Sequence, residues 1–211
     1  MYLDNTTKLL SKWSEYYSLT DSRINEFGIV DVNAYNYKKG ILFIGKETNG
    51  WDFSKGETFL GWISEMAAKK VITGKIASKH PKIWYNIGRW AKLIANPQYD
   101  KSQLLQEKTD ALEGLRYIAF TNYNKVYGKE KTDKSFWSLI TENDVKQVLK
   151  AEIDLIIPQI IVLCGIPKEY LPEYDASIKI IEMPHPTARN ISNYDMLIKL
   201  EKQLRGELCN C

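Results

Sequence analysis

The sequence predicts an α/β fold, a three-layer α/β/α sandwich built on a central, mostly parallel four-stranded sheet. Two observations carry this. Four short apolar runs recur along the chain: Ile41-Leu42-Phe43-Ile44, Tyr117-Ile118-Ala119-Phe120, Ile160-Ile161-Val162-Leu163-Cys164 and Ile178-Lys179-Ile180-Ile181-Glu182-Met183. Runs of this length, bounded by glycine, proline or polar residues, read as strands covered on both faces. The segments between them place apolar residues at helical spacing, and alternating strands and helices argue for parallel strands flanked by helices. No repeat, low-complexity tract or linker breaks the pattern. Residues 1–211 are therefore expected to form one domain, with an N-terminal helical segment over about 1–40 and a flexible tail over about 206–211.

Lys8 to Tyr17 opens the chain as an amphipathic helix, with Leu9, Leu10, Trp13, Tyr16 and Tyr17 at helical spacing. Asp21 to Gly40 is polar and irregular and leads into the strand at Ile41. Asp52 to Gly56 is a loop of small and charged residues. Phe59 to Val71 is helical, with Leu60, Ile63, Met66 and Ala67 on one face; Phe59 reads as core. Pro81 suits the first position of a helix, where its missing N–H loses nothing. That helix, Lys82 to Ala95, carries Ile83, Trp84, Ile87, Trp90, Ala91 and Ile94, and Pro97 stops it. Gln103 to Leu115 and Glu142 to Ile157 give two more helices. Ser192 caps the last, with Tyr194, Leu197, Ile198 and Leu204 on its inner face.

With 211 residues the chain can bury a sizeable core. Its 44% hydrophobic and 26% charged residues are ordinary for a globular protein, and a net charge of +3 names no partner. No apolar run is long enough to span a bilayer, and Met1-Tyr2-Leu3-Asp4-Asn5 lacks the basic-then-apolar order of a secretory signal. Cys164 falls in a strand and reads as an inert core residue, while Cys209 and Cys211 lie at the chain end. Three cysteines fall short of a four-thiolate zinc or iron–sulfur site, and no metal or cofactor is expected. A reducing, cytoplasmic setting and a monomer are the expectation.

Parallel strands end along one edge, and in open α/β sheets ligands bind just beyond that edge. Here it collects Glu47 and Asn49, then Asn122 and Asn124, then His185 and Arg189. A carboxylate can orient or deprotonate water. An amide can read a donor–acceptor edge of a ligand. An imidazole can stabilise a developing anion. Each residue also has an ordinary reading: Asn-Gly is a common turn pair, and a histidine between prolines is commonly a rigid loop residue.

Three motifs together resemble the uracil-DNA glycosylase superfamily. Gly45-Lys46-Glu47-Thr48 follows the first strand where that family has Gly-x-Asp-Pro or Gly-x-Asn-Pro-Gly. Asn122 ends the second strand, and His185-Pro186-Thr187-Ala188-Arg189-Asn190 is similar to the family's His-Pro-Ser-Pro-Arg-Asn stretch. The first motif departs most, with Glu47 for Asp or Asn and Thr48 for Pro. The resemblance spans about 41–205 in strand order. It implies a DNA glycosylase that flips a pyrimidine from DNA and hydrolyses its N-glycosidic bond, leaving an abasic site. Glu47 would hold the attacking water, Asn122 would read the base, and His185 would steady the leaving base. Arg189 would wedge into DNA, with Thr187 and Asn190 beside it. An aromatic that walls off the 5-position of uracil in this family is replaced here by Asn49, followed by Gly50. This leaves room for a 5-modified pyrimidine, hydroxymethylated or glucosylated as in phage DNA, and fits either repair or phage defence. Trp51, Phe53 or Phe59 would supply the stacking face, with core packing the favoured role for Phe59.

The charge pattern points the same way. Met66 to Tyr99 contains no Asp or Glu but holds Lys69, Lys70, Lys75, Lys79, Lys82, Arg89 and Lys92, and Lys125 follows Asn122. Such a segment suits phosphate contacts and reads equally as a solvated helix face. Two other functions use the same residues: a non-catalytic module that binds modified bases, and a nucleoside hydrolase, since fold does not fix function.

Overall fold

The computed structural model describes residues 8–9, 11–15, 26–37, 39–49, 59–72, 81–125, 127–128 and 134–207, with the backbone alone at 36–37, 48–49, 127–128 and 134. Its strands are β1 (Gly28–Ile29), β2 (Ile41–Gly45), β3 (Thr48–Asn49), β4 (Ile118–Asn122), β5 (Tyr127–Gly128), β6 (Ile160–Cys164) and β7 (Lys179–Met183). Its helices are α1 (Val32–Tyr37), α2 (Phe59–Lys69), α3 (Pro81–Ala95), α4 (Lys101–Gln106), α5 (Lys108–Glu113), α6 (Lys134–Leu139), α7 (Asn143–Ile156) and α8 (Asn193–Leu204). Residues 11–15 are helical as well.

The main sheet has five strands in the order β1-β4-β2-β6-β7. β4, β2, β6 and β7 are parallel, and β1 pairs antiparallel with the outer side of β4. The fifth strand corrects the expected four: Gly28↔Phe120 and Ile29↔Ala119 form a two-residue edge within the stretch read as irregular. β2 is central, and Ile41, Leu42, Phe43 and Ile44 are all fully buried. An unbroken apolar run is required there, because both faces of a central parallel strand are covered. Ile41 and Phe43 join one core with α2, α3 and α8, while Leu42 and Ile44 join a second with α7 and Trp13. Helices thus cover both faces. Each aliphatic side chain so buried contributes about 1.5–3 kcal/mol of transfer free energy.

β7 lies at the other edge and alternates instead, with Ile181 and Met183 buried and Ile180 and Glu182 half-buried. Its free side is blunted by a side chain from α8. Gln203 donates from Nε2 to the Glu182 carbonyl at 2.8 Å and accepts from the Glu182 amide at 3.0 Å. An edge whose backbone groups are paired this way offers less of a template to another strand.

The Gln103–Leu115 segment is not one helix. Glu107 adopts φ −91°, ψ 90°, so α4 stops and α5 begins, followed by a 3-10 turn over Gly114–Tyr117. Tyr117 therefore precedes β4 and Asn122 is its last residue. Ser192 caps α8 as its sequence suggests, accepting from the Asp195 amide at 3.1 Å. The buried stripe of α8 is Met196, Leu197 and Leu200, and Tyr194 is exposed.

α3 crosses α5 and the 3-10 turn at backbone contact distance. A Cβ on Gly88 would lie 1.8 Å from the Ala111 carbonyl oxygen, and one on Gly114 would lie 2.1 Å from the Gly88 oxygen. Gly88→Ala is expected to cost at least the about 1–3 kcal/mol typical of overpacking, since the obstacle is backbone and cannot rotate away. An unchanged urea midpoint would show that the crossing can open.

Candidate active site

The edge where the parallel strands end gathers the chemistry. Gly45 ends β2, and its missing side chain makes room for Asn122: a Cβ there would stand 2.5 Å from Asn122 Oδ1. Asn122 is 2% exposed, and its Nδ2 has no hydrogen-bond partner. A buried donor left unpaired costs about 1–3 kcal/mol. Two residues earlier on β4, Phe120 packs against Phe59 and Trp84 at centroid distances of 5.8 and 5.7 Å. Phe59 is thus core, as its sequence context suggests.

The loops leaving β2 and β4 stay hydrogen-bonded beyond the sheet. The Tyr123 amide donates to the Gly45 carbonyl and the Asn124 amide to the Lys46 carbonyl, each at 2.8 Å. Further on, Thr48 pairs with Tyr127 and Asn49 with Gly128 as the parallel strands β3 and β5. Glu47 lies between these attachments, half-buried, and its Oε2 accepts from Asn124 Nδ2 at 3.3 Å. Lys46 turns its ammonium over the Trp137 ring, 4.9 Å from the centroid. Burial pushes the Lys46 amine below its ordinary pKa, and the neighbouring Glu47 charge opposes that.

His185 arrives from β7. Two strand spacings separate β7 from β2, about 10 Å, and β6 between them ends at Cys164, just before Gly165. Gly165 has φ +74°, and a Cβ there would lie 3.2 Å from the His185 amide nitrogen. His185 and Ala188 close a turn through an Ala188 amide to His185 carbonyl bond of 2.8 Å, with Pro186 at the position that favours proline. His185 Nδ1 accepts from the Thr187 amide at 3.3 Å and lies 2.9 Å from the Thr187 hydroxyl. An amide nitrogen cannot accept in return, so this contact suits a neutral ring that carries its proton on Nε2.

α3 holds this turn. Asn86, 1% exposed, donates from Nδ2 to the Pro186 carbonyl at 2.7 Å and to Asn193 Oδ1 at 3.1 Å. Lys82 donates to the Ala188 carbonyl at 3.3 Å. Arg189 and Asn190, just past the turn, are exposed. Asn49 is placed by its backbone alone, and Trp51, Phe53 and Lys79 lie outside the described residues.

Lys125 is corrected as a phosphate contact, and Arg89 and Lys92 are buried and held by partners within the protein. Lys125 is fully buried: it pairs with Glu152 at 2.8 Å, bonds the Thr121 hydroxyl, and lies under the Trp13 and Phe27 rings. It cannot meet a phosphate from there. Lys69 pairs with Glu65, and Lys70 with Glu113 at 3.3 Å. Lys92, nearly buried, pairs with Asp110 at 2.5 Å. Arg89 donates to the Leu104 and Leu105 carbonyls at 2.8 and 2.9 Å. The acids and carbonyls come mostly from α4 and α5.

Among the described residues, no three His, Cys, Asp or Glu side chains are grouped to hold a metal ion, and no helix is long and apolar enough to cross a membrane. Cys164 is buried, and burial pushes its thiol well above its ordinary pKa. Sequence reading passed over Asn86 and gave Asn124 no specific role. The signal for Asn86 was a carboxamide on an otherwise apolar stretch of α3, where asparagine is a poor helix former. No family model matches the chain, and no curated protein is significantly similar to it.

Proposed function

We propose that the chain is a monofunctional DNA glycosylase that extrudes a pyrimidine nucleotide and hydrolyses its N-glycosidic bond. The observation that carries the reading is the buried, unpartnered Asn122 Nδ2 beside the Glu47–Asn124 pair. An orphan donor at a strand end calls for an acceptor, and a ring oxygen of a flipped base supplies one. Glu47 takes a proton from water as the water attacks the sugar carbon. The carbon–nitrogen bond breaks, and its electron pair leaves with the base. His185 Nε2–H donates to the base oxygen as negative charge develops there. Asn124 fixes the Glu47 carboxylate, so the water is held before the base departs.

A donor at Asn122 favours a ring carbonyl over an exocyclic amine. The expected preference is therefore uracil and 5-substituted uracil over 5-substituted cytosine. The test is alkali-dependent cleavage of oligonucleotides carrying uracil, hydroxymethyluracil, hydroxymethylcytosine or its glucosylated form. Cleavage at hydroxymethyluracil supports both the reading and the open 5-position beside Asn49. Cleavage at plain uracil alone would remove the open-pocket part.

The burial of Arg89, Lys92 and Lys125 within the protein favours a second reading, a nucleoside hydrolase that needs no phosphate track. Free base released from nucleosides, and none from oligonucleotides, would select it.

A further inference from the structure

We propose that Asn86 is the positioning residue for His185, setting the orientation and proton placement of the imidazole without touching substrate. Its kinetic consequence rests on the glycosylase reading above; its structural consequence does not. Asn86 lies one turn into α3, 1% exposed, and both polar atoms of its carboxamide are hydrogen-bonded. Nδ2 spends its two protons on the Pro186 carbonyl at 2.7 Å and Asn193 Oδ1 at 3.1 Å. Oδ1 accepts from Arg89 Nη1 at 3.3 Å. Arg89 is itself fixed by the Leu104 and Leu105 carbonyls, at 2.8 and 2.9 Å, from α4. The carboxamide therefore cannot rotate without breaking bonds at both ends, and it is oriented from one helix while it grips the turn that follows β7.

The grip acts on the residue next to His185. With the Pro186 carbonyl held, the His185–Ala188 turn is fixed, and the Thr187 amide and hydroxyl face His185 Nδ1. That contact keeps Nδ1 unprotonated and sends the ring proton to Nε2. Releasing the Pro186 carbonyl frees the turn, and the imidazole then samples both tautomers. Lys82 holds the Ala188 carbonyl from one turn earlier on α3, but by a longer bond of 3.3 Å. An amide that donates from a buried site is stronger and more directional than a half-exposed ammonium on a flexible stem.

The variants Asn86→Asp and Asn86→Ser separate positioning from folding. The aspartate still accepts from Arg89 but has no proton for Pro186, and the serine is too short to bridge both partners. Both are made with His80→Gln, so that His185 is the only histidine, and ring nitrogens are observed by 15N NMR where the imidazole is neutral. The parent is expected to show a protonated Nε2 and an unprotonated Nδ1. In both variants the two shifts should move toward each other, and kcat for base release should fall about a hundredfold with KM little changed, as for a reacting group displaced by about 1 Å. Ring shifts unchanged in folded Asn86→Asp would overturn the proposal, as would failure of both variants to fold, which would make Asn86 a stability residue. Moving ring shifts in a chain that releases no base would keep the positioning role and remove the glycosylase reading. Normal base release with unmoved shifts would do the reverse.

Discussion

Glu47→Gln is expected to lower base release by about a hundred- to ten-thousand-fold, the range lost when a positioned general base is removed. The substitution keeps the shape of the side chain and its ability to accept from Asn124 Nδ2, which lies 3.3 Å from Glu47 Oε2. It removes only the capacity to take a proton. Glu47 is half-buried between two backbone attachments, the Asn124 amide on the Lys46 carbonyl and the β3–β5 pairing. The glutamine should therefore occupy the same place, and oligonucleotide affinity should change little. Single-turnover kinetics on a cleavable oligonucleotide measures the loss. A rate within a few-fold of the parent would mean that Glu47 does not activate water.

Glu152→Ala is expected to destabilise the fold by about 3–5 kcal/mol, the cost of stripping a buried ion of its partner. Glu152 and Lys125 are both fully buried and 2.8 Å apart. Glu152 also accepts from Trp13 Nε1 at 2.5 Å and from the Thr121 hydroxyl at 2.8 Å. Burial pulls the Lys125 amine below its ordinary pKa, and Glu152 is the charge that opposes this. Without Glu152 the ammonium must discharge or draw in water. Losing this much would remove a large share of the roughly 5–15 kcal/mol that holds a domain folded. The double substitution Lys125→Met/Glu152→Leu should recover much of the loss, because no unpaired charge remains. Urea midpoints compare the variants; a loss under about 1 kcal/mol for Glu152→Ala would mean that the pair is dispensable. The network reaches beyond the ion pair, since Thr121 and Lys125 bracket Asn122 and Asn124 and so fix the strand end that carries both carboxamides.

The four parallel strands and the helices α2, α3, α7 and α8 were legible because their signals are local. Ile41 to Gly45 is apolar without a break and stops at glycine, and α3 repeats Trp84, Ile87, Trp90 and Ile94 on one face. β1, β3 and β5 are two residues each, too short to carry a period, and exist through pairing with distant strands. Lys125 read as a surface cation because its partner, Glu152, lies 27 residues further on, on another helix. The same blindness hid the tertiary partners of Arg89 and Lys92. At the site, Glu47, Asn122 and His185 could be placed on one sheet edge from strand order alone. The link from Asn86 to Pro186 spans 100 residues of sequence and has no local mark.

The proposed reaction is breakage of an N-glycosidic bond in DNA at the edge formed by Glu47, Asn122 and His185. The most direct measurement is mass spectrometry of free base released from a hydroxymethyluracil oligonucleotide, with abasic sites counted in the same sample. The account predicts free base and abasic sites in equal amounts from the parent protein, and neither from Glu47→Gln or His185→Ala. An oligonucleotide that is bound by the parent protein but stays intact would contradict it.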